Sequence, residues 1–134
     1  DDLVRLLARV TALQSFVATE DGTNLLAAYK RAANILKSAP DAAPVAPSGD
    51  LLAAESALLS ALDAAEPKAA LAVESEQFEA AMAALASLRA PIDGFFDGVM
   101  VNDEDPAKRA FRLGLLTRFR DAVHRVADFS RIEG

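Results

Sequence analysis

The sequence of 134 residues contains no cysteine or tryptophan, and only one tyrosine and one histidine. The absence of cysteine excludes disulfide bonds and thiol catalysis, and it suits the reducing cytosol. No apolar run is long enough to span a bilayer, and no signal peptide is recognisable. We therefore expect a cytoplasmic protein without a membrane partner. β-branched residues are sparse, and no long stretch alternates apolar and polar residues, which argues against a strand-rich fold.

Residues that perform chemistry are also scarce. The lone histidine, His124, lies about 140° from Phe119 on a predicted helix, on the solvent side, where it makes neither a catalytic dyad nor a metal site. The carboxylates Asp103, Glu104 and Asp105 lack the alternating spacing and the glycine of an EF-hand loop, so helix capping explains them better than a cation. No glycine-rich phosphate motif is present. The sequence therefore predicts no catalytic residue, metal site or cofactor in this domain.

What the sequence does contain is helical periodicity. Hydrophobic residues make up 52% of the chain, and apolar side chains recur at spacings of three and four. In the last predicted helix, Asp105 is a suitable N-cap and Pro106 fits the first helical position. The core stripe of that helix is predicted to be Phe111, Leu115, Leu116, Phe119, Ala122, Val123 and Val126. The length suits one domain with its own core, so the pattern predicts an all-α fold, a single helical bundle of about five main helices.

Earlier segments have the same periodicity. Residues 2–19 are predicted to form an amphipathic helix, and residues 39–50, with three prolines and a glycine, a loop inside the domain. Pro67 is expected to interrupt the third helix and open a short one, and Pro91 to kink or restart the fourth. The apolar face of the first helix comprises Leu3, Leu6, Leu7, Val10, Leu13 and Val17. We expect one domain over residues 1–134, the C-terminal fragment of a longer chain, because the sequence begins in helical register without an initiator methionine.

Charge is distributed unevenly along this chain, whose net charge is −6. Residues 1–40 and 101–134 each carry +1, whereas residues 41–100 hold two basic residues against ten acidic ones, giving −8. Any contact with RNA phosphates is therefore expected in the terminal thirds. On the second helix, Lys30, Asn34 and Lys37 share an outer face, with Arg31 beside them. A solvated cationic face is the alternative interpretation.

Arg112 breaks the apolar stripe of the last helix. It lies about 20° from Phe119, where an unpaired cation is costly. We interpret it as a structural clamp on the acidic loop rather than as a ligand contact. Four upstream carboxylates are the candidate partners: Asp93, Asp97, Asp103 and Glu104.

On the outer side of the same helix, Arg118, Asp121 and Arg125 follow at i, i+3 and i+7. One interpretation is a ladder of surface ion pairs. The other is that both arginines hold phosphates while Asp121 orients them. The spacing alone leaves both interpretations open.

Three motifs give the chain a family resemblance. FFDGVMVNDEDPAKRAFRLGLL at residues 95–116 resembles the end of the β subunit of the bacterial, two-subunit type of glycyl-tRNA synthetase, where FFD-x-VMV leads through an acidic loop to R-x-N-R-L-x-LL. YKRAANIL at residues 29–36 and LASLRAPID at residues 85–93 resemble two further signatures of that domain, in the right order. Gly98 occupies a variable position of the pattern. Phe111 stands where the family usually has Asn, so no base-reading role is carried over to it.

The resemblance implies an anticodon-binding domain of the DALR type. Its partners would be the anticodon loop of tRNA-Gly, the remainder of the β chain and the α subunit, with no DNA. The parent would be a glycine–tRNA ligase whose catalytic site, with ATP and Mg²⁺, lies in the α subunit, so this domain alone would make no aminoacyl bond.

An anticodon is single-stranded loop RNA, which is recognised by stacking and by hydrogen bonds to splayed bases. The candidate tRNA-binding residues are Lys30, Arg31, Asn34, Lys37, Lys108, Arg109, Arg112, Arg118 and Arg125. Two alternative functions remain open. One is the related domain of an arginyl-tRNA synthetase, which shares the fold. The other is a helical protein-interaction module without nucleic-acid binding, which the net acidity favours.

Overall fold

The computed structural model describes residues 2–37, 51–99 and 106–126. Six α-helices occupy these residues, and no strand is found among them. They are α1 (Asp2–Val17), α2 (Glu20–Lys37), α3 (Ala53–Glu74), α4 (Phe78–Ala86), α5 (Arg89–Gly98) and α6 (Pro106–Val126). The all-α prediction is confirmed. The loop predicted over residues 39–50 and the N-cap predicted at Asp105 lie outside the described residues.

Helix α6 forms the centre of the bundle. All seven residues of its predicted stripe are buried, and Phe119 and Val126 have no exposed surface. Residues 111–116 are buried on every side, because α2, α3 and α4 all pack against this helix. Burial all round is typical of a core helix. Complete burial of a side chain such as Phe119 stabilises the fold by about 1.5–3 kcal/mol.

Helix α3 passes through Pro67 without a break, and the predicted interruption there is wrong. A proline inside a helix removes the hydrogen bond to the carbonyl four residues earlier. Pro67 is exposed, however, and alanines and leucines of the same helix are buried on both sides of it, including Leu62 and Ala69. Because α3 packs along its length against α4, α5 and α6, these contacts outweigh the lost bond.

The fourth predicted helix is divided into α4 and α5 at Ser87 and Leu88. Pro91 is the third residue of α5, so the predicted restart is confirmed but begins before the proline. The first four N–H groups of a helix have no intrahelical partner. The missing N–H of Pro91 therefore costs no hydrogen bond, and the apolar face continues through the buried Ile92 and Phe95.

Helix α1 does not bury the face that the sequence predicts. Leu13 and Val17 are half-buried, whereas Leu3, Val4, Leu7 and Val10 are 41–62% exposed. Among the side chains of α1 that the structure describes, the buried ones are Ala12 and Phe16, which lie outside the predicted stripe. The reason is the packing direction, since α1 contacts α2 and α4 and no other helix of the described residues covers its apolar side.

The connection between α1 and α2 is short and tightly packed. Thr19 precedes α2, and its Oγ1 accepts a hydrogen bond from the N–H of Gly22 at 3.0 Å, as an N-cap does. Gly22 is buried, and a Cβ at this position would overlap the carbonyl oxygen of Phe16. Only glycine therefore lets the first turn of α2 approach the end of α1 this closely.

Candidate nucleic-acid interface

The predicted outer face of α2 is exposed. Lys30, Arg31, Asn34 and Lys37 all lie at the surface, because the opposite face of the helix buries Leu25, Ala28, Ala32 and Leu36 against the bundle. Three cations and an amide therefore follow one another over two turns of a helix that the core holds in place. This part of the prediction is confirmed as a surface, while its ligand stays a prediction.

Two contacts show that α2 and α5 run in the same direction. Arg89 at the start of α5 lies 3.9 Å from the carboxylate of Glu20 and 3.4 Å from that of Asp21, both in the first turn of α2. Further along, the guanidinium carbon of Arg31 lies 4.3 Å from the ring centroid of Phe96. The carboxyl ends of α2 and α5 therefore point to the same end of the bundle.

The amino ends of α3 and α6 meet at that end as well. A Cβ built on Gly98, the last residue of α5, would lie 3.9 Å from the Cβ of Ala54 in the first turn of α3. Glu55, also in that turn, pairs with Arg112 of α6. The end of α2 and the start of α6 are thus brought to one end of the bundle, although 68 residues separate Lys37 from Pro106 along the chain.

We call this part of the molecule the cationic end and define it by Lys30, Arg31, Asn34, Lys37, Lys108 and Arg109. All six are exposed. A long-range field from these cations would favour approach of a polyanion from this side. At the other end of α3, by contrast, the exposed residues include acidic side chains from Glu74 to Glu79.

Arg112, another predicted tRNA-binding residue, is not at the surface. Its side chain and that of Glu55 are each 4% exposed, and its Nε donates to Glu55 Oε2 at 2.9 Å. Glu55 Oε1 accepts the N–H of Leu52 at 2.8 Å, so one carboxylate serves both the start of α3 and the inside of α6. The structure favours the clamp over a ligand contact.

The partner that the described residues show for that clamp was not among the predicted ones. The carboxylate that meets Arg112 belongs to α3, and Asp93 instead lies 3.8 Å from Arg89 within α5. Asp103 and Glu104, two of the other candidates, lie outside the described residues. Periodicity along one helix cannot identify a partner 57 positions away, which is why Glu55 was not predicted.

Arg118 is also engaged by the fold. Its guanidinium donates through Nη2 to Asp63 Oδ1 at 2.9 Å, and through Nε and Nη2 to both carboxylate oxygens of Glu66. The hydrogen bond with Glu66 raises the pKa of the Arg118 guanidinium, although burial opposes the rise. Arg118 therefore stays charged and ties α6 to α3, which leaves little of it for a phosphate.

The Arg118–Asp121 contact of the ladder, which was one of the two interpretations left open, is accordingly not formed. Arg118 turns to α3, and Asp121 Oδ1 accepts instead from its chain neighbour Arg120, at 3.1 Å from Nη2 and 3.2 Å from Nε. Arg125 is exposed on the outer side of α6, as is His124. Arg125 lies near the opposite end of α6 from Lys108, so the fold does not bring it to the cationic end.

One cleft at the interface was not predicted. It lies between α2 and α5, has a volume of about 270 Å³, and is lined by Asn24, Ala27, Ala28, Arg31, Asp93, Phe96 and Asp97. The sequence did carry a signal, because Asp93, Phe96 and Asp97 are spaced i, i+3 and i+4 and so share one face of a helix. A second cleft, beside Lys108 and Arg112, measures only about 40 Å³, which is close to the space of one water molecule.

The described residues offer no alternative chemistry. They contain no group of three or more His, Cys, Asp or Glu side chains placed to hold a metal ion. None of their helices combines the length and apolarity needed to cross a bilayer. The exposed cations of the cationic end are therefore the leading feature from which a function can be argued.

The described residues form a helical bundle with a cationic end and a cleft beside it. Consistent with this, a family model described as "DALR anticodon binding domain" matches residues 25–129, which is most of the chain. The chain belongs to the DALR anticodon-binding domain family.

Three relatives identify the branch of that family to which the chain is similar. All are named glycine–tRNA ligase β subunit, and all three alignments cover 100% of this chain. The relative from Phenylobacterium zucineum (strain HLK1) is 50% identical over 140 residues, 21% of its own length. Those from Rhodospirillum centenum (strain ATCC 51521 / SW) and Paracoccus denitrificans (strain Pd 1222) are 52% and 50% identical, over 20% of each protein. The chain thus spans about a fifth of the length of these relatives, and the resemblance seen in its motifs is confirmed.

Proposed function

We propose that this chain binds the anticodon loop of tRNA-Gly as part of the β subunit of a cytoplasmic glycine–tRNA ligase. The observation that carries the proposal is the cationic end, which the fold assembles from two distant stretches of a chain that belongs to an anticodon-binding family. The names of the relatives support glycine rather than arginine as the amino acid. In this proposal the α subunit carries out aminoacylation and binds the ATP and Mg²⁺ that the reaction requires.

The charges of the described surface set the strength of the interaction. Arg112 and Arg118 are committed to carboxylates of α3, so few cations remain to neutralise phosphates. For single strands the slope of log K against log salt is about −0.7 for each phosphate neutralised. Contact with two or three phosphates would therefore give a slope of roughly −1.5 to −2. Most of the affinity of the parent enzyme for tRNA would then come from other parts of it.

A pair of matched charge reversals tests the proposal. Lys30→Glu alters the cationic end, whereas Lys68→Glu alters an exposed lysine of α3, on the acidic stretch of the chain. The assay is equilibrium binding of a tRNA-Gly anticodon stem-loop, with a stem-loop of another specificity as the second ligand. We expect Lys30→Glu to weaken binding about ten-fold or more, since one reversal removes an attraction and adds a repulsion worth over 1 kcal/mol together.

Three results would count against this assignment. Equal losses from Lys30→Glu and Lys68→Glu would place the RNA on another surface. A salt slope several units steeper would mean that many more phosphates are contacted. Binding of both stem-loops with equal affinity would leave a nonspecific RNA contact in place of an anticodon-binding function.

A second candidate function is protein binding without RNA. The exposed apolar side of α1, formed by Leu3, Val4, Leu7 and Val10, favours it, because exposed contiguous apolar patches mark interaction surfaces. The same titrations distinguish the two functions. Failure of the unaltered chain to bind any stem-loop would favour this second candidate.

A further inference from the structure

The cleft between α2 and α5 has an aromatic wall whose orientation is fixed. Phe96 is half-buried, and the fully buried Phe95 meets it edge to face, with ring centroids 6.1 Å apart and planes at 69°. The exposed Arg31 covers Phe96, its guanidinium carbon 4.3 Å from the ring centroid. A planar cation resting on a fixed ring presents its other face outward, and guanidinium planes of this kind are surfaces on which RNA bases stack.

The rim of the same cleft carries both hydrogen-bond donors and hydrogen-bond acceptors. Asn24 and Asp93 are half-buried and Asp97 is exposed. Asp93 is already 3.8 Å from Arg89, so Asp97 is the carboxylate better placed to accept from a ligand. Arg31 and Asn24 supply donors. A ligand with an exocyclic amino group next to ring acceptors would complement this arrangement.

We propose that the cleft holds one unpaired cytosine of the anticodon, stacked on Arg31 with its N4 amino group donating to Asp97. This inference rests on the proposed function, because it names the base that the anticodon contact would recognise. Carboxylates accept from the N4 amino group of cytosine, and a volume of about 270 Å³ lies just below the range of about 300–1,000 Å³ that takes drug-sized ligands. A single base suits that size.

Cytosine is favoured over the other bases on two grounds. Uracil would present a carbonyl oxygen to the carboxylate in place of an amino group, which is repulsive. Guanine and adenine can also donate from an amino group to a carboxylate, but glycine codons begin with a pair of guanines, so the last two anticodon positions are cytosine in every glycine tRNA. Only the first anticodon base varies among them.

The test combines changes in the protein with changes in one base. Anticodon stem-loops of tRNA-Gly are prepared with each of the two shared cytosines replaced in turn by uracil, or by 2-pyrimidinone, which lacks the amino group and gains no oxygen. Binding to the unaltered chain is compared with binding to Asp97→Ala, Arg31→Lys and the control Glu79→Ala. Glu79 is an exposed carboxylate on α4, away from the cleft. Circular dichroism confirms that each variant is folded.

At one of the two positions we expect the unaltered chain to prefer cytosine over 2-pyrimidinone by about ten-fold, the value of one good base contact. Asp97→Ala removes the acceptor and should reduce that preference to near unity, while Glu79→Ala should preserve it. Arg31→Lys keeps the charge and removes the plane, so it should weaken binding of all the stem-loops alike and leave the preference in place.

Two outcomes would overturn the inference, and they are distinguishable. If the unaltered chain binds the stem-loops and Asp97→Ala retains the full preference at both positions, the cleft does not read cytosine, while the proposed function stands. If the unaltered chain binds no stem-loop, the proposed function is lost together with this inference.

Discussion

The burial of the ion pair between Arg112 and Glu55 determines how much stability each partner is expected to contribute. An exposed ion pair contributes about 0–1 kcal/mol, but here each side chain is only 4% exposed. Removing one partner from a buried pair leaves an uncompensated charge and costs about 3–5 kcal/mol. We therefore expect Arg112→Met and Glu55→Leu, made singly, each to lower the free energy of unfolding by that amount. Glu55→Leu also removes the acceptor for the Leu52 N–H, and so should be the more damaging.

The double variant tests the ion pair more directly than either single variant, because it leaves neither charge without its partner. Replacing both charges by apolar side chains of similar volume is often neutral or stabilising, so Arg112→Met with Glu55→Leu should recover most of the loss. Urea unfolding followed by far-ultraviolet circular dichroism measures all three free energies, given an unchanged m value. Arg120→Met is the matched control, because Arg120 is 38% exposed and pairs at the surface with Asp121. It should cost under about 1 kcal/mol.

The reasoning would be refuted by either of two measurements. One is an Arg112→Met variant no less stable than Arg120→Met, which would mean that the buried charge is solvated after all. The other is a double variant whose loss equals the sum of the single losses, since groups in direct contact are expected to be coupled.

Four further substitutions test the packing, each measured by the same unfolding assay. Phe119→Ala should cost about 3–5 kcal/mol, because it empties a site with no exposed surface; stability equal to the parent would show that the stripe is not core. Pro67→Ala should stabilise the chain by about 2 kcal/mol, since it restores an interior helical hydrogen bond; a loss would imply that α3 needs its proline. Gly22→Ala should cost about 3 kcal/mol through overpacking against Phe16. Gly94→Ala, where the added Cβ meets nothing within 4 Å, should instead stabilise α5 by about 0.5–1 kcal/mol.

The parts of the fold that the sequence predicted well are those set by local periodicity. The stripe of α6 could be identified because apolar residues recur at a helical spacing and all of them reach the core, as Phe119 and Val126 do. The outer face of α2 was identified for the same reason. In both helices the local pattern and the tertiary contacts agree.

The incorrect predictions concern features that are determined by contacts between residues far apart in the sequence. Pro67 locally predicts a break, yet the packing of α3 on three other helices keeps the helix whole. Leu3 and Leu7 locally predict a buried face, yet α1 turns Ala12 and Phe16 inward. For the candidate site, exposure of Lys30 and Lys108 was predictable, whereas the partners of Arg112 and Arg118 were not, because they lie 52 to 57 residues away.

The separation between α3 and α6 also constrains how the chain folds during synthesis. Glu55 leaves the ribosome 57 residues before Arg112, an interval of about 3–11 s at the usual rates of translation. Throughout that interval the apolar faces of α2, α3 and α4 are not yet covered by α6, and the carboxylate of Glu55 is not yet paired with Arg112. Because α6 packs against α2, α3 and α4, we expect the core of the bundle to be completed only after α6 has been synthesised.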